Sequence, residues 1–357
     1  MTQNLIINGR QIGSEMPVYI VAEISANHNQ SFEHAVRLIH AAKEVGADAV
    51  KLQTYTPDTM TISCNNQYFQ IGEGTIWAGY NLYDLYRDAY TPWEWQPELK
   101  FLAEGLDLDF FSTPFDPTAV DFLEDMNVSA YKIASFEIVD LPFLEKVART
   151  GKPIIMSTGM ATLTEIDEAV RKIREVGGVQ LALLQCTSAY PASPKEMNLR
   201  TIPHLSEAFG VPIGLSDHTL GIAVSVAAVS LGACIIEKHF TLSRDKRGPD
   251  SDFSMEPDEF RAMVNAIRTV EKALGEVNYE VTNQEVSSRV FRRSLFVVKD
   301  MKVGDIFTTE NVRSIRPGYG LPPKYLKDIL GCQATRDIVA GTPLEFSLLL
   351  GNYDCNY

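Results

Sequence analysis

The sequence predicts an α/β protein in which a (β/α)₈ (TIM) barrel is followed by a small second domain. Eight short apolar runs alternate with helix-like segments up to about residue 275. Near-continuous hydrophobic strands that alternate with helices are typical of parallel strands covered by helices. Eight such units in about 250 residues fit a closed barrel. A doubly wound open sheet is the alternative, but no GxGxxG turn follows the first strand.

The predicted strands are, in order, VYIVAEI, DAVKLQT, DFFSTP, AYKIAS, PIIMST, LALLQC, PIGLSD and CIIEKHF. The segments between them have helical periodicity, for example SFEHAVRLIHAAKEVG. The connection at 55–94 is much longer than the others. Loops of this length are usually functional or disordered, and its many aromatic residues favour order. We therefore predict a partly helical cover over the barrel mouth.

The composition changes after the barrel. We assign residues 1–275 to the barrel and the polar stretch 276–290 to a linker. Short strands and glycine-containing turns predict a small domain at 291–350, and 351–357 form a tail. About sixty residues are near the lower limit for an independent hydrophobic core, so we expect the small domain to depend on a larger partner.

Charge and composition exclude several classes of protein. The 357 residues are 45% hydrophobic and carry a formal net charge of −14, which argues against nucleic acid or an anionic membrane as partner. No apolar run approaches the roughly 20 residues that span a bilayer, and the N-terminus lacks the layout of a secretory signal. Five scattered cysteines indicate reduced thiols. We expect a cytoplasmic enzyme.

Polar side chains stand at the carboxyl end of every predicted strand, which is where barrel enzymes carry their active sites. Side chains alternate along a strand, so Glu237 and His239 share one face, which we take to be the lumen, and Lys238 points outward. His218 ends the neighbouring strand. Two imidazoles beside an acid suit an open site for an Mn²⁺-type ion completed by water and substrate, although a lone strand-end histidine is more often structural. Glu23 is a candidate for electrostatic or acid–base work.

A second group of strand-end residues suits a phosphate or carboxylate, because ammonium groups and hydroxyls bind such anions. Its lysines have no nearby acid on their own strands. The alternative is that each hydroxyl only caps the following helix. The group comprises Lys51, Thr113, Lys132, Ser135, Ser157, Ser188 and Ser216.

The chain resembles the sialic acid synthase family along nearly its whole length. The matching pieces include AEISANHNQ, GADAVKLQTYTPD, YKIAS, CTSAYP, GLSDHTLG, IEKHFT and RGPDSDFSMEPDEF, and the C-terminal SLFVVKDMKVGDIFTTENVRSIRPGYGL resembles the family's antifreeze-like (β-clip, SAF) domain. Within the family, YTPDT, LYDLY and TPWEW are most similar to pseudaminic acid synthases. The RGPD segment leaves synthases of legionaminate or N-acetylneuraminate open. A non-catalytic carbohydrate-binding protein is the distant alternative.

The resemblance implies a transferase that condenses phosphoenolpyruvate with the open-chain aldehyde of 2,4-diacetamido-2,4,6-trideoxy-altropyranose. It implies that His218 and His239 hold Mn²⁺, with Mg²⁺ or Co²⁺ possible, and that the anion group binds phosphoenolpyruvate. Glu237 and Glu23 would be catalytic. Glu23, Tyr190, Asp250 and Arg316 would bind the sugar, with Arg316 reaching the active site of the partner in a domain-swapped homodimer.

Overall fold

The computed structural model describes residues 4–178, 180–246 and 248–350, and the predicted tail at 351–357 lies outside the described residues. The chain divides after Gly275 into two compact units. The first unit contains a hairpin and a closed barrel of eight parallel strands in chain order, which confirms the predicted fold. The hairpin strands are β1 (Leu5–Ile7) and β2 (Arg10–Ile12), and the barrel strands are β3 (Tyr19–Glu23), β4 (Ala49–Thr54), β5 (Asp109–Pro114), β6 (Tyr131–Ile133), β7 (Ile154–Ser157), β8 (Leu181–Cys186), β9 (Ile213–Asp217) and β10 (Ile235–His239).

Helices follow the barrel strands and cover them. Several begin at a capping side chain, as the helix Pro117–Asp125 does at the Asp116 carboxylate and the helix Leu163–Glu175 at the Thr162 hydroxyl. The helices are α1 (Phe32–Glu44), α2 (Pro57–Met60), α3 (Leu82–Ala89), α4 (Gln96–Gly105), α5 (Pro117–Asp125), α6 (Leu141–Arg149), α7 (Leu163–Glu175), α8 (Thr201–Phe209), α9 (Ala223–Ser230), α10 (Pro257–Leu274), α11 (Asn283–Val286) and α12 (Leu326–Ile329).

Alternation along the strands separates two hydrophobic cores. Ile20 of β3 and Ile236 of β10 point outward and pack with the helices. Val21 and Ile235 point inward and pack with the side chains of the hairpin, such as Ile7. The hairpin therefore fills the barrel interior at the end opposite the carboxyl ends of the strands. Its turn is Asn8-Gly9, a common hairpin signal that our sequence interpretation overlooked.

The long connection at 55–94 is partly helical, as predicted. It contains α2, α3 and short 3₁₀ turns at Gln67–Phe69 and Trp93–Trp95. Trp77 donates a hydrogen bond to the carbonyl of Pro249 at 2.9 Å, and Trp93 donates to the carbonyl of Tyr55 at 3.0 Å. The first bond ties the connection to the loop after β10, and the second joins the two ends of the connection.

The second unit has its own small core. Antiparallel strands β11 (Ser294–Val297) and β12 (Val312–Ile315) form one ribbon, and β13 (Gln333–Ala334) and β14 (Leu349–Leu350) form another. Leu295, Phe307 and Leu344 are fully buried in it. The segment predicted as a linker contains α11 and the start of a 3₁₀ turn at Ser287–Phe291. Among the residues that the structure describes, no helix combines the length and apolar character that crossing a bilayer requires.

Candidate active site

Four charged side chains meet inside the barrel at the carboxyl ends of its strands. Glu23 and Lys51 occupy paired positions on β3 and β4 and form an ion pair. The Glu237 Oε1 atom lies 3.9 Å from Lys51 Nζ and 3.7 Å from Lys132 Nζ. All four side chains are buried. The sequence analysis considered only acids on the lysines' own strands, and the closed barrel brings both lysines to acids on other strands.

Burial and mutual charge shift the pKa values of this cluster in different directions. Burial raises the pKa of Glu23 to about 7, although Lys51 opposes the rise. Burial also acts to raise the pKa of Glu237, but Lys132 and Lys51 outweigh it and the pKa is lowered. Glu237 is thus held as a carboxylate, whereas Glu23 is poised to exchange a proton near neutral pH. Two nearby carboxyl groups with pKa values pushed apart are a common arrangement in acid–base sites.

The strand-end hydroxyls belong to the same network. Lys51 Nζ donates to Thr113 Oγ1 at 3.1 Å, and Lys132 Nζ donates to Ser157 Oγ at 2.7 Å. Ser216 Oγ donates to Glu237 Oε1 at 3.1 Å. These hydroxyls point into the lumen and do not cap the helices that follow them. The capping alternative is therefore wrong for these three residues.

Ser135 and Ser188 line a backbone recess at Gly159. The Gly159 amide donates to Ser135 Oγ at 3.1 Å. A β-carbon at residue 159 would collide with the hydroxyl oxygens of both serines. A glycine amide among hydroxyls, with Lys132 close to Ser157 two residues earlier, can accept an anion that a bulkier residue would exclude.

The two predicted histidines lie side by side in the lumen. Their ring centroids are 5.4 Å apart, and the Tyr190 ring lies 4.4 Å from that of His218. His218 Nδ1 contacts the carbonyl of Thr187 at 3.1 Å. The Nδ1 atom of His239 is buried and has no hydrogen-bond partner within the described part of the chain. Lys238, in contrast, points outward and donates to Asp217 Oδ2 at 2.8 Å.

The histidine pair fits a metal site that needs further ligands from outside the protein. Burial and the neighbouring His218 hold the pKa of His239 well below its ordinary value, so its ring is neutral and has a free lone pair. Burial opposes protonation of His218, but Cys186 and the Thr187 carbonyl outweigh it and raise the pKa, so an ion there competes with a proton. Among the described residues, no cluster of three His, Cys, Asp or Glu side chains forms a complete cage. Two imidazoles leave positions open for water and substrate.

A cavity of about 540 Å³ opens above these groups. His239, Tyr190 and Asp250 line it, together with side chains of the 55–94 connection. Asp250 accepts from the Ser25 hydroxyl and from the Ala26 amide at 3.1 Å, and burial raises its pKa. A larger groove of about 930 Å³ lies beside β8 and includes Ser188, but it has none of the charged cluster.

Glu137 is a cavity residue that the sequence interpretation missed. It lies on a 3₁₀ turn two residues after Ser135, and its Oε2 atom is buried without a hydrogen-bond partner among the described residues. Burial raises its pKa to about 7. The sequence signal that could have identified Glu137 was an acidic residue shortly after the end of a strand.

Arg316 lies in the second unit, just after β12, and is exposed.

Comparisons with known proteins agree with the resemblance drawn from the sequence. The NeuB family model matches residues 38–279, and the SAF domain model matches residues 292–350. The pseudaminic acid synthase of Helicobacter pylori is 49% identical over 92% of this chain and 97% of its own length. The N,N'-diacetyllegionaminic acid synthase of Legionella pneumophila is 37% identical over 96% of this chain and 98% of its own. A crystal structure of N-acetylneuraminic acid synthetase from Leptospira borgpetersenii, in complex with citrate, has a TM-score of 0.72 and 32% identity over 81% of this chain and 95% of that one.

Proposed function

The chain belongs to the NeuB family, and from that membership and its barrel mouth we propose that it is a pseudaminic acid synthase. It condenses phosphoenolpyruvate with the open-chain aldehyde of 2,4-diacetamido-2,4,6-trideoxy-altropyranose, giving a nonulosonic acid and phosphate. The observation that carries the proposal is a buried cluster of two lysines and two glutamates beside paired histidines. The two curated relatives described above are synthases rather than binding proteins, which argues against the non-catalytic alternative.

We assign phosphoenolpyruvate to the floor of the lumen. Lys51 and Lys132 supply positive charge for its phosphate and carboxylate, and the strand-end hydroxyls around them would donate to the anion. Charge-assisted hydrogen bonds of this kind are about twice as strong as neutral ones. The hydroxyl donors in this role are those of Thr113, Ser135, Ser157, Ser188 and Ser216.

His218 and His239 would hold the divalent ion, which we propose to be Mn²⁺. When bound, the ion acts as a Lewis acid that polarises the sugar aldehyde. The neutral His239 ring, with its unpartnered nitrogen, supports this assignment. The Tyr190 ring packs against the His218 ring at an angle of 49° and restricts the orientation of that imidazole.

The carboxyl groups of Glu23 and Glu237 would assist the reaction at the carbon atoms. C3 of phosphoenolpyruvate attacks the aldehyde carbon, the aldehyde oxygen takes a proton, and positive charge develops at C2. Glu237, which stays ionised, stabilises that charge. Water then adds to C2, and phosphate leaves as the C2–O bond breaks. Glu23, whose pKa is about 7, can relay the protons.

The sugar would occupy the cavity above this floor. Tyr190 and Asp250 line this cavity and can hydrogen-bond to sugar hydroxyl or amide groups. The Asp250 carboxylate is held in place by the Ser25 hydroxyl and the Ala26 amide.

We also propose a cytoplasmic location and a homodimer in which Arg316 of one subunit reaches the sugar site of the other.

The choice of sugar is tested with a panel of acylated amino sugars under saturating phosphoenolpyruvate. We expect the highest kcat/KM for the 2,4-diacetamido-2,4,6-trideoxy sugar of altro configuration, measured as phosphate release and product mass. Preferred turnover of the legionaminate precursor or of N-acetylmannosamine would instead assign the chain to one of those relatives.

The swapped homodimer is tested by mixing two inactive variants. Subunits with Arg316→Ala have intact histidines, and subunits with His239→Ala have intact arginine. If Arg316 acts on the other subunit, one site in each mixed dimer is complete, so co-refolded mixtures should recover up to about a quarter of wild-type activity. No recovery, in mixtures whose hybrid dimers are verified by native mass spectrometry, would contradict the swap.

A further inference from the structure

Two chemically different sets of residues line the cavity above the histidines. Charged and amide side chains come from strand ends and the loops after them, and include Gln53, Glu137 and Asp250. The 55–94 connection supplies mostly apolar side chains, with Thr59 as a polar exception. We call one group of them the apolar wall, and its members are Tyr55, Met60, Leu82, Leu85, Tyr86 and Ala89.

The apolar wall is packed before any ligand binds. The Tyr55 ring meets those of Phe115 and Tyr86 edge to face, at centroid distances of 5.3 Å and 5.8 Å. Tyr55 is only 3% exposed. Helix α3, which carries Leu82, Leu85, Tyr86 and Ala89, begins at the Asn81 side chain, which accepts from the Tyr83 amide. The wall is therefore a preformed surface.

A sugar bound here must present polar groups to Gln53, Glu137 and Asp250 and carbon to the apolar wall. Only the two tyrosines of the apolar wall carry a polar side-chain atom. A hydroxyl held against Met60, Leu82 or Ala89 loses its hydrogen bonds to water and gains none, which weakens binding. A methyl group in the same place gains from burial.

We infer that the apolar wall determines sugar specificity by accepting methyl groups, namely the C6 methyl of a 6-deoxy sugar and the methyl of its 4-acetamido group. This inference rests on the proposed function, whose substrate has both groups. A fully hydroxylated sugar such as N-acetylmannosamine has hydroxyls at C4 and C6 instead. The wall thus explains chemically why the long connection is rich in aromatic and aliphatic residues.

The expected discrimination is limited. Apolar pockets reject an added hydroxyl or a missing methylene by roughly 10- to 200-fold. We therefore expect kcat/KM to favour the 4-acetamido-6-deoxy sugar over N-acetylmannosamine by about 100-fold, with the difference placed mainly in the sugar KM.

The test is Met60→Gln, which keeps the length of the side chain and adds hydrogen-bonding groups to the wall. We expect kcat/KM for the diacetamido trideoxy sugar to fall about tenfold. The ratio of kcat/KM for this sugar to kcat/KM for N-acetylmannosamine should fall by at least the same factor. The KM for phosphoenolpyruvate should not change, because Lys51 and Lys132 are untouched. Ile62→Gln is the matched control, since Ile62 lies on the same connection but is 61% exposed and should leave both sugars unaffected.

Ala89→Ser is a second variant that adds one hydroxyl to the wall with little change in volume. An unchanged KM for phosphoenolpyruvate and an unchanged melting temperature show that either variant is folded. If the wild-type protein prefers the trideoxy sugar but folded Met60→Gln and Ala89→Ser keep the full preference, the wall inference fails and the proposed function stands. If the wild-type protein prefers N-acetylmannosamine, the proposed function fails and the inference with it.

Discussion

Replacing His239 with alanine is expected to lower turnover by at least about a thousandfold while the barrel stays folded. The substitution removes one of the two imidazoles proposed to hold the divalent ion, and such an ion contributes several kcal/mol to charge stabilisation in the transition state. At 1.36 kcal/mol for each tenfold change in rate, this corresponds to three or more orders of magnitude. The barrel should survive, because the Nδ1 atom of His239 has no hydrogen-bond partner in the described structure.

Three measurements check this expectation. Initial rates with and without EDTA, and after Mn²⁺ is added back, test the metal requirement of the wild-type protein. Titration of Mn²⁺ by calorimetry tests binding independently of activity, and the variant should bind much more weakly. His204→Ala is the control, because His204 is an exposed residue of α8. Near-wild-type rates for His239→Ala, or full activity of the wild-type protein in EDTA, would refute the ligand role.

The second large effect is a contrast between two buried lysines of the barrel. Lys132→Met should raise the KM for phosphoenolpyruvate by about 10- to 100-fold, because a hydrogen bond to a charged group contributes about 1.5–3 kcal/mol. Lys238→Met should instead lower the free energy of unfolding by about 3–5 kcal/mol, since it leaves Asp217 buried without its cation. The two lysines point to opposite faces of their strands, inward for Lys132 and outward for Lys238.

Steady-state kinetics at a temperature where both variants are folded, with denaturant unfolding in parallel, separate these effects. Folded Lys238→Met should keep the wild-type KM for phosphoenolpyruvate. The assignment of Lys132 to substrate binding would be overturned if its variant also changed only stability, or if Lys238→Met raised the KM to the same extent.

Much of the fold follows from local pattern. Eight apolar runs with polar ends, each followed by a helical segment, predicted the closed barrel in the correct order. The period of two along β10 was enough to place Glu237 and His239 on one face and Lys238 on the other, because side-chain alternation is a property of any strand. The hairpin at Leu5–Ile12 had a turn signal in the sequence, and only its role as a filling for the barrel interior needed the structure.

The tertiary structure alone decided which charges meet. Glu23 and Lys51 are 28 positions apart, and Lys132 and Glu237 come from strands that are not neighbours in the barrel, so no local pattern could pair them. Ser216 and Glu237 also meet only through strand pairing. Glu137 gained its raised pKa from burial, which depends on the whole cavity. The sequence determined which side chains face inward, since that depends on strand periodicity, whereas their partners and protonation depend on distances that only barrel closure sets.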